Sequence, residues 1–370
     1  MKKRILVFDV NISGMNKFLY PKLEEYNFEL IIKRTPIKKI YKYWAALRTL
    51  SFDINVWQER FDLEYWKYYY HPDAFLWRTK QNEKIIKKCR QEYDFILQFG
   101  TMFAPSLKKT PKPYFVFTSW TTKLSDREWP EWNTLKDKAK YAKWEEWQNF
   151  LYKNATKIFV TNEYVVNSFL KDYNIPREKI KVVGYGPPII PPIDFEKHYD
   201  GKTVLFIGYQ FERKGGKYLL EAFRKVKREI PDARLIIIGP AKIDFRFEGI
   251  DFRGIVRDRN KIIDAYKETS IFTMPSICEP FGLTFLEAMA YKLPCIGTTN
   301  DAMPEIIIDG VTGYTVPPAD ADSLASRIVL LLRNPELMKT LGDNGYKRLN
   351  QVFTWDNVVR NIEAALDIVN

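Results

Sequence analysis

Residues 278–290 read CEPFGLTFLEAMA, from Cys278 to Ala290. An acid, a proline and a glycine precede a run of strong helix formers, and a second acid, Glu287, sits one turn inside that run. The apolar stretch Ile271–Met274 just upstream reads as a strand ending at Pro275-Ser276, so the whole segment predicts strand, turn, helix. Pro280 donates no hydrogen bond, and Gly282 permits a sharp turn or a close backbone approach. A helix opening at Leu283 has first amides without intrahelical acceptors, and its dipole favours an anion beside them. Glu279 is expected to point into a ligand site. Glu287 should lie deeper on the same side, where a carboxylate can accept two hydrogen bonds from a vicinal diol such as a ribose. An ordinary strand–loop–helix with Glu287 in solvent fits the same pattern.

A second stretch shifts that balance. Phe211-Glu212-Arg213-Lys214-Gly215-Gly216 follows the apolar run Thr203–Gly208 and precedes helix-forming residues, so it too should lie at the carboxyl edge of a sheet. Adjacent Arg213 and Lys214 suit a diphosphate, the arginine as a fork and the lysine as a point charge. Alone, RKGG reads as a solvated basic turn; paired with the first motif, it predicts a pyrophosphate site.

Working outward, short apolar runs alternate with helical patterns over the whole chain. In the first half the strand candidates are 4–10, 29–32, 95–99, 114–117 and 157–161, with a helix over 135–152. In the second they are 203–208, 234–238, 271–274 and 294–297, with helices over 217–229, 260–267, 283–291, 323–332 and 355–368. Such alternation predicts an α/β protein with mostly parallel sheets. Four prolines within 186–193 break any regular element. The expected organisation is an N-terminal α/β domain over 1–186, a linker over 187–193 and a C-terminal α/β domain over 194–370.

Charge divides along the same boundary. Residues 1–180 carry 33 Lys and Arg against 21 Asp and Glu, whereas 181–370 carry 25 of each. Nine of ten tryptophans also lie in the first half, which should therefore meet something anionic or amphipathic. Three cysteines without metal-ligand or CxxC spacing point to a reducing cytoplasm, and two histidines make a histidine-based triad or zinc site a poor reading. The apolar run after Lys2-Lys3-Arg4 is too short for a signal-peptide core, and no stretch reaches a membrane span.

Glu279-Pro280-Phe281-Gly282, followed by Leu286-Glu287-Ala288-Met289-Ala290, resembles the E-x7-E signature of retaining glycosyltransferases of the GT-B fold, the large family numbered four. Phe206–Phe223 is similar to that family's donor-binding loop, and Cys295–Val316 looks like its continuation; the likeness covers about 203–365 and is mainly architectural before that. It implies two doubly wound Rossmann-like domains facing a cleft, with the C-terminal helix able to pack back on the N-terminal domain. It also implies a hexosyltransferase that uses a nucleotide-diphosphate sugar such as a UDP- or GDP-sugar, with no further cofactor and no metal.

Under that resemblance Glu279 is the catalytic-site acid at the donor sugar, and Glu287 binds the ribose. Arg213, Lys214 and the amides of Gly282, Leu283 and Thr284 hold the diphosphate, while Gly14, Ser119 and Thr121 line the cleft. Two departures stand out. Tyr209 follows Gly208 where many relatives carry arginine, and Phe117–Lys123 offers no histidine or aspartate. Asp320-Ala321-Asp322 spells a DxD metal motif, but its place before a helix reads as an N-terminal cap.

On the acceptor side, residues 36–48 predict a helix with Ile37, Ile40, Tyr41, Trp44 and Leu47 on one face and Lys38, Lys39, Lys42 and Arg48 mostly elsewhere. Such a helix either packs on its own sheet or lies on an anionic membrane. The expected partners are a sugar-nucleotide donor, a glycan or lipid-linked acceptor and an anionic membrane surface; nucleic acid is not among them, since no reading module is present. The expected place is the cytoplasm, peripheral on the inner membrane face. The alternative functions are a non-catalytic, membrane-associated binding protein on this scaffold and a nucleotide-sugar epimerase-like enzyme.

Overall fold

The computed structural model describes residues 2–367 except 10–13, 36–37, 53, 133–134, 189–194, 241–242 and 244–246, and except six side chains within Ile54–Tyr69. Two compact units result, one made of Met1–Gly184 with Trp355–Asn370 and the other of Tyr185–Thr354. Most of the proline-rich stretch read as a linker, 189–193, lies outside the described residues.

The first unit is built on six parallel strands: β1 (Lys3–Asp9), β2 (Phe28–Arg34), β3 (Phe95–Phe99), β4 (Tyr114–Thr118), β5 (Lys157–Val160) and β6 (Ile180–Val182). They lie in the order β2-β1-β3-β4-β5-β6. The second unit repeats the plan with β7 (Thr203–Ile207), β8 (Arg234–Ile238), β9 (Ile250–Gly254), β10 (Ile271–Thr273), β11 (Cys295–Thr298) and β12 (Gly313–Val316), ordered β12-β11-β10-β7-β8-β9. Central strands such as Val204-Leu205-Phe206 and Ile158-Phe159-Val160 are buried throughout, which is why they read as continuous apolar runs. The parallel α/β architecture expected from the sequence is the one observed. Strands β6, β9 and β12 were not anticipated, because IKV, IDFRG and GYTV are short and mix polar residues into the pattern.

The aromatic wealth of the first half goes largely into its core. Trp144 is fully buried and packs edge-on to Phe75 at 5.7 Å, and Phe115 stacks on Phe159 at 5.4 Å. The helix expected over 135–152 runs Lys138–Asn154, started by the Asp137 side chain, which accepts from the amides of Ala139 and Lys140.

The helix expected at 36–48 is observed over Lys39–Arg48, with Pro36 and Ile37 outside the described residues. Its inward side is formed by Ala45, which is buried, and by Tyr41, whose ring stacks on Tyr68 at 4.9 Å. Tyr41 therefore does not share the face of Ile40, Trp44 and Leu47, as the periodicity had it; those three and Tyr43 are exposed.

The last helix, Trp355–Asp367, packs back on the first unit, as the family resemblance implied, and so falls outside the domain 194–370 drawn from the sequence. Trp355 stacks on Phe18 at 6.0 Å, Tyr26 donates to Asp356 at 3.0 Å, and Lys3 pairs with Asp367. Among the described residues no helix is long and apolar enough to cross a membrane.

Because Trp355 is buried against the first unit, Trp355→Ala should destabilise that unit by about 3 kcal/mol. Urea titration should place the variant's first-unit transition at a lower midpoint, and an unchanged midpoint would mean that the helix adds nothing to that core.

Candidate functional site

In the second unit the chain leaves β7 toward β8 and β9, then returns to place β10 on the other flank of β7. The β7–β10 boundary is thus the point where strand order reverses, and the loops leaving the two strands at their carboxyl ends converge there. Those loops carry the two motifs singled out in the sequence.

Glycines permit the convergence. Gly215, at φ +74°, opens the helix Gly216–Glu229, and a Cβ there would stand 1.8 Å from the Pro275 carbonyl oxygen. No other residue fits so close to the second loop. The Ile277 amide donates to the Arg213 carbonyl at 2.8 Å, fastening one loop to the other. Gly282, at φ +87°, turns the chain into the helix Leu283–Ala290, whose opening residues Leu283 and Thr284 are half-buried.

This backbone brings Arg213, Lys214 and Glu279 together, all three largely buried. Lys214 Nζ lies 2.8 Å from Glu279 Oε2, and Arg213 Nη1 lies 3.5 Å from the same oxygen. Arg213 also donates to the Cys278 carbonyl and, through Nε, to Gln210 Oε1 at 2.5 Å. Burial by itself would raise the Glu279 carboxyl; Lys214 and Arg213 outweigh it and hold the acid below the usual glutamate range. Burial draws the Lys214 ammonium below its ordinary value, with Glu279 opposing. Three buried charges with one net positive remain beside the helix start, an arrangement able to receive an anion.

Glu287 occupies a second polar position deeper in the same helix. Its Oε1 accepts from Arg259 Nη2 at 2.8 Å and its Oε2 from the Tyr266 hydroxyl at 2.8 Å. Burial raises this carboxyl above the usual range, and Arg259 and Tyr266 bring it only part of the way back. The two acids of the motif are thus shifted in opposite directions.

Three members of this cluster were not picked out from the sequence. Arg259 and Tyr266 lie on the helix Arg259–Glu268, which follows the unanticipated strand β9; only the RDRN start of that helix could have drawn the eye. Asp301 follows β11, holds φ +52°, and its Oδ2 accepts from the Glu279 amide at 2.6 Å. The Asn300-Asp301 pair after a strand was its only signal.

In the first unit the residues read as lining a cleft fare differently. Gly14 precedes the helix Asn16–Glu25 at φ +67°, with nothing within 4 Å of where a Cβ would be, and Ser119 is half-buried after β4. Thr121 corrects the reading. It is buried, and its hydroxyl meets Ser168 at 2.7 Å and accepts from the Leu124 amide, so its side chain is engaged in capping the helix Thr122–Glu128. Asp320 accepts from the Ser323 amide at 2.9 Å as the cap of Ala321–Leu332, and Asp322 pairs with Lys225 at 2.6 Å.

Glu279→Gln would leave Lys214 and Arg213 buried without their carboxylate, at a cost of roughly 3 kcal/mol at pH 7. Because Glu279 titrates below its unfolded value of about 4.3, the gap between wild type and variant is fully present above that pH. It should close as pH falls through the lower folded value. Urea midpoints at neutral and acidic pH measure it, and equal midpoints at neutral pH would contradict the buried ion pair.

Residues 193–348 match the family described as Glycosyl transferases group 1. Phosphatidyl-myo-inositol mannosyltransferase of Mycobacterium leprae (strain TN) is 33% identical over 178 residues, which is 46% of this chain and 47% of that protein. The chain spans about half the length of the curated relatives it matches. The sucrose-phosphate synthase structure from Thermosynechococcus elongatus aligns at TM-score 0.68 and 16% identity, covering 100% of this chain and 99% of that one. Anabaena Alr3699/HepE, solved with UDP and glucose, aligns at 0.63 and 14% identity over 99% of both chains. At these identities the structures speak for the fold: two Rossmann-like units of the GT-B type. Residues 193–348 thus carry the sequence pattern of glycosyl transferases group 1, within a chain whose two units share the GT-B fold.

Proposed function

We propose that the protein is a retaining glycosyltransferase that needs no metal. It moves a hexose-type sugar from a nucleotide-diphosphate sugar, such as a UDP- or GDP-sugar, to a lipid-linked or cell-envelope glycan acceptor. The observation that carries this reading is the convergence of Arg213, Lys214, Glu279 and the Leu283–Ala290 helix start at the β7–β10 switch point, with Glu287 one step deeper. The match of residues 193–348 to glycosyl transferases group 1 and the mannosyltransferase relative support it.

The proposed chemistry is leaving-group stabilisation. The bond between the sugar's anomeric carbon and the diphosphate breaks, its electron pair stays on the phosphate oxygen, and the acceptor hydroxyl attacks from the same face. Its proton passes to the departing diphosphate. Lys214 and Arg213, with the amides of Gly282, Leu283 and Thr284, oppose the charge that develops on that leaving group. Such preorganised groups are worth about 3 kcal/mol each. Glu279 is assigned to the donor sugar's hydroxyls, where its low carboxyl stays ionised and accepts hydrogen bonds. Glu287 is assigned to the ribose diol. Gly14 and Ser119 are assigned to the acceptor side, and we place the protein in the cytoplasm, peripheral to the inner membrane face.

Thermal-shift titration with a set of nucleotide sugars should find one that raises the melting temperature, by about 2.7 kcal/mol of stabilisation at a hundredfold excess over its Kd. Lys214→Ala and Glu287→Ala should lose that shift. Because burial raises the Glu287 carboxyl, donor affinity should weaken on acidification at a pH above that of an ordinary glutamate. Transfer that persists in EDTA, with the anomeric configuration kept by NMR, completes the expectation. Donor affinity untouched by both substitutions would overturn the site.

A further inference from the structure

Strand β2 is the open edge of the first sheet, and beside it a cavity of about 690 Å³ runs along the helix Pro72–Lys88. Lys33 and Arg34 line it from the end of β2, Trp77, Lys84 and Lys88 from one stripe of the helix, and Arg90 from just beyond it. No carboxylate lines it, and none of the five cations makes an ion pair among the described residues. Cations that line one cavity with no carboxylate among its lining residues repel one another, and an anion relieves that repulsion.

The groove continues into a second feature. Lys38 Nζ stands 5.9 Å from the centre of the Trp77 ring, and the helix Lys39–Arg48 begins at the next residue. Ile40, Tyr43, Trp44 and Leu47 repeat at one-turn spacing along that helix and are all exposed. Leu50, Phe52 and Ile54 extend the exposure, so seven of the twelve large apolar side chains exposed among the described residues fall between positions 40 and 54. A concentration of that kind marks an interaction face. Residues 31–52 include six Lys and Arg and no Asp or Glu. A second copy meeting this face with its own would set like charges together.

We propose that the apolar stripe Ile40–Leu47, its extension to Ile54 and the cationic groove beside β2 form one docking face for an anionic lipid bilayer. Lipid phosphates sit in the groove, while Tyr43, Trp44 and Leu47 settle at the boundary between headgroups and hydrocarbon. This deepens the reading of a membrane-proximal acceptor and rests on it for its purpose, but its geometry lies wholly in the first unit.

The test is co-sedimentation of the full chain with phosphatidylcholine vesicles, with and without phosphatidylglycerol. Wild type should pellet with the anionic vesicles at low salt, stay in solution with the neutral ones, and be released by high salt. Trp44→Glu with Leu47→Glu should abolish retention, and Lys84→Glu with Lys88→Glu should weaken it at least about tenfold. Both variants should keep the wild-type melting temperature and the donor-induced shift, which separates lost docking from lost folding. Wild type left in the supernatant of anionic vesicles overturns the proposal, as does retention that both double variants keep. Self-association that Trp44→Glu removes, without vesicle retention, assigns the face to a second copy and also overturns it. The vesicle assay uses neither donor nor acceptor, so its failure leaves the sugar-transfer reading intact, and failure of that reading leaves a vesicle result standing.

Discussion

A carboxylate buried beside two cations at the β7–β10 boundary is the constraint on which the second unit depends. Glu279, Lys214 and Arg213 are each too costly to bury alone, and they become tolerable only when the two loops bring them within ion-pair distance. That closeness requires the Gly215 backbone to press against the Pro275 carbonyl, and it requires the Ile277–Arg213 hydrogen bond that ties the loops. Both conditions follow from β10 pairing directly with β7 across the reversal in strand order. Sheet topology, glycine placement and buried charge are therefore one problem with one solution.

The two acids of the E-x7-E segment show how environment divides identical side chains. Glu279 faces an ammonium and a guanidinium from the neighbouring loop, so attraction outweighs burial and the acid is held low. Glu287 receives one arginine and one tyrosine hydroxyl, which do not fully offset its burial, and it is held high. One is suited to remain an anion among cations. The other is suited to exchange its protein partners for hydroxyls of comparable geometry, which is the role proposed for it toward a ribose.

The first unit spends its aromatic residues in two ways. Trp144, Phe115 and Phe159 fill the space around a parallel sheet, where large rings bury much area with little rotamer entropy lost. Trp44 and Tyr43 stand exposed on a helix whose inward side carries the buried Ala45 and Tyr41, stacked on Tyr68. The surplus positive charge of this half follows the same division, since the cations flanking that helix have no acidic neighbours in sequence to neutralise them.

The sequence by itself determined the alternation of strands and helices, the two carboxyl-edge loops and the residues Arg213, Lys214, Glu279 and Glu287. Each of these depends on near neighbours in the chain: apolar runs, a glycine that frees a turn, an acid one turn into a helix. Only the tertiary structure decided who partners whom. That Arg259 and Tyr266 hold Glu287, and that Asp301 holds the Glu279 amide, depends on strand order, which brings together residues 21 to 28 positions apart and leaves no periodic trace. The same holds for Thr121, drawn inward by Ser168. It holds too for the helix at 39–48, whose apolar stripe was legible while its direction was not. Periodicity fixes which side chains share a face, and only packing against the rest of the fold decides whether that face meets the core or the solvent.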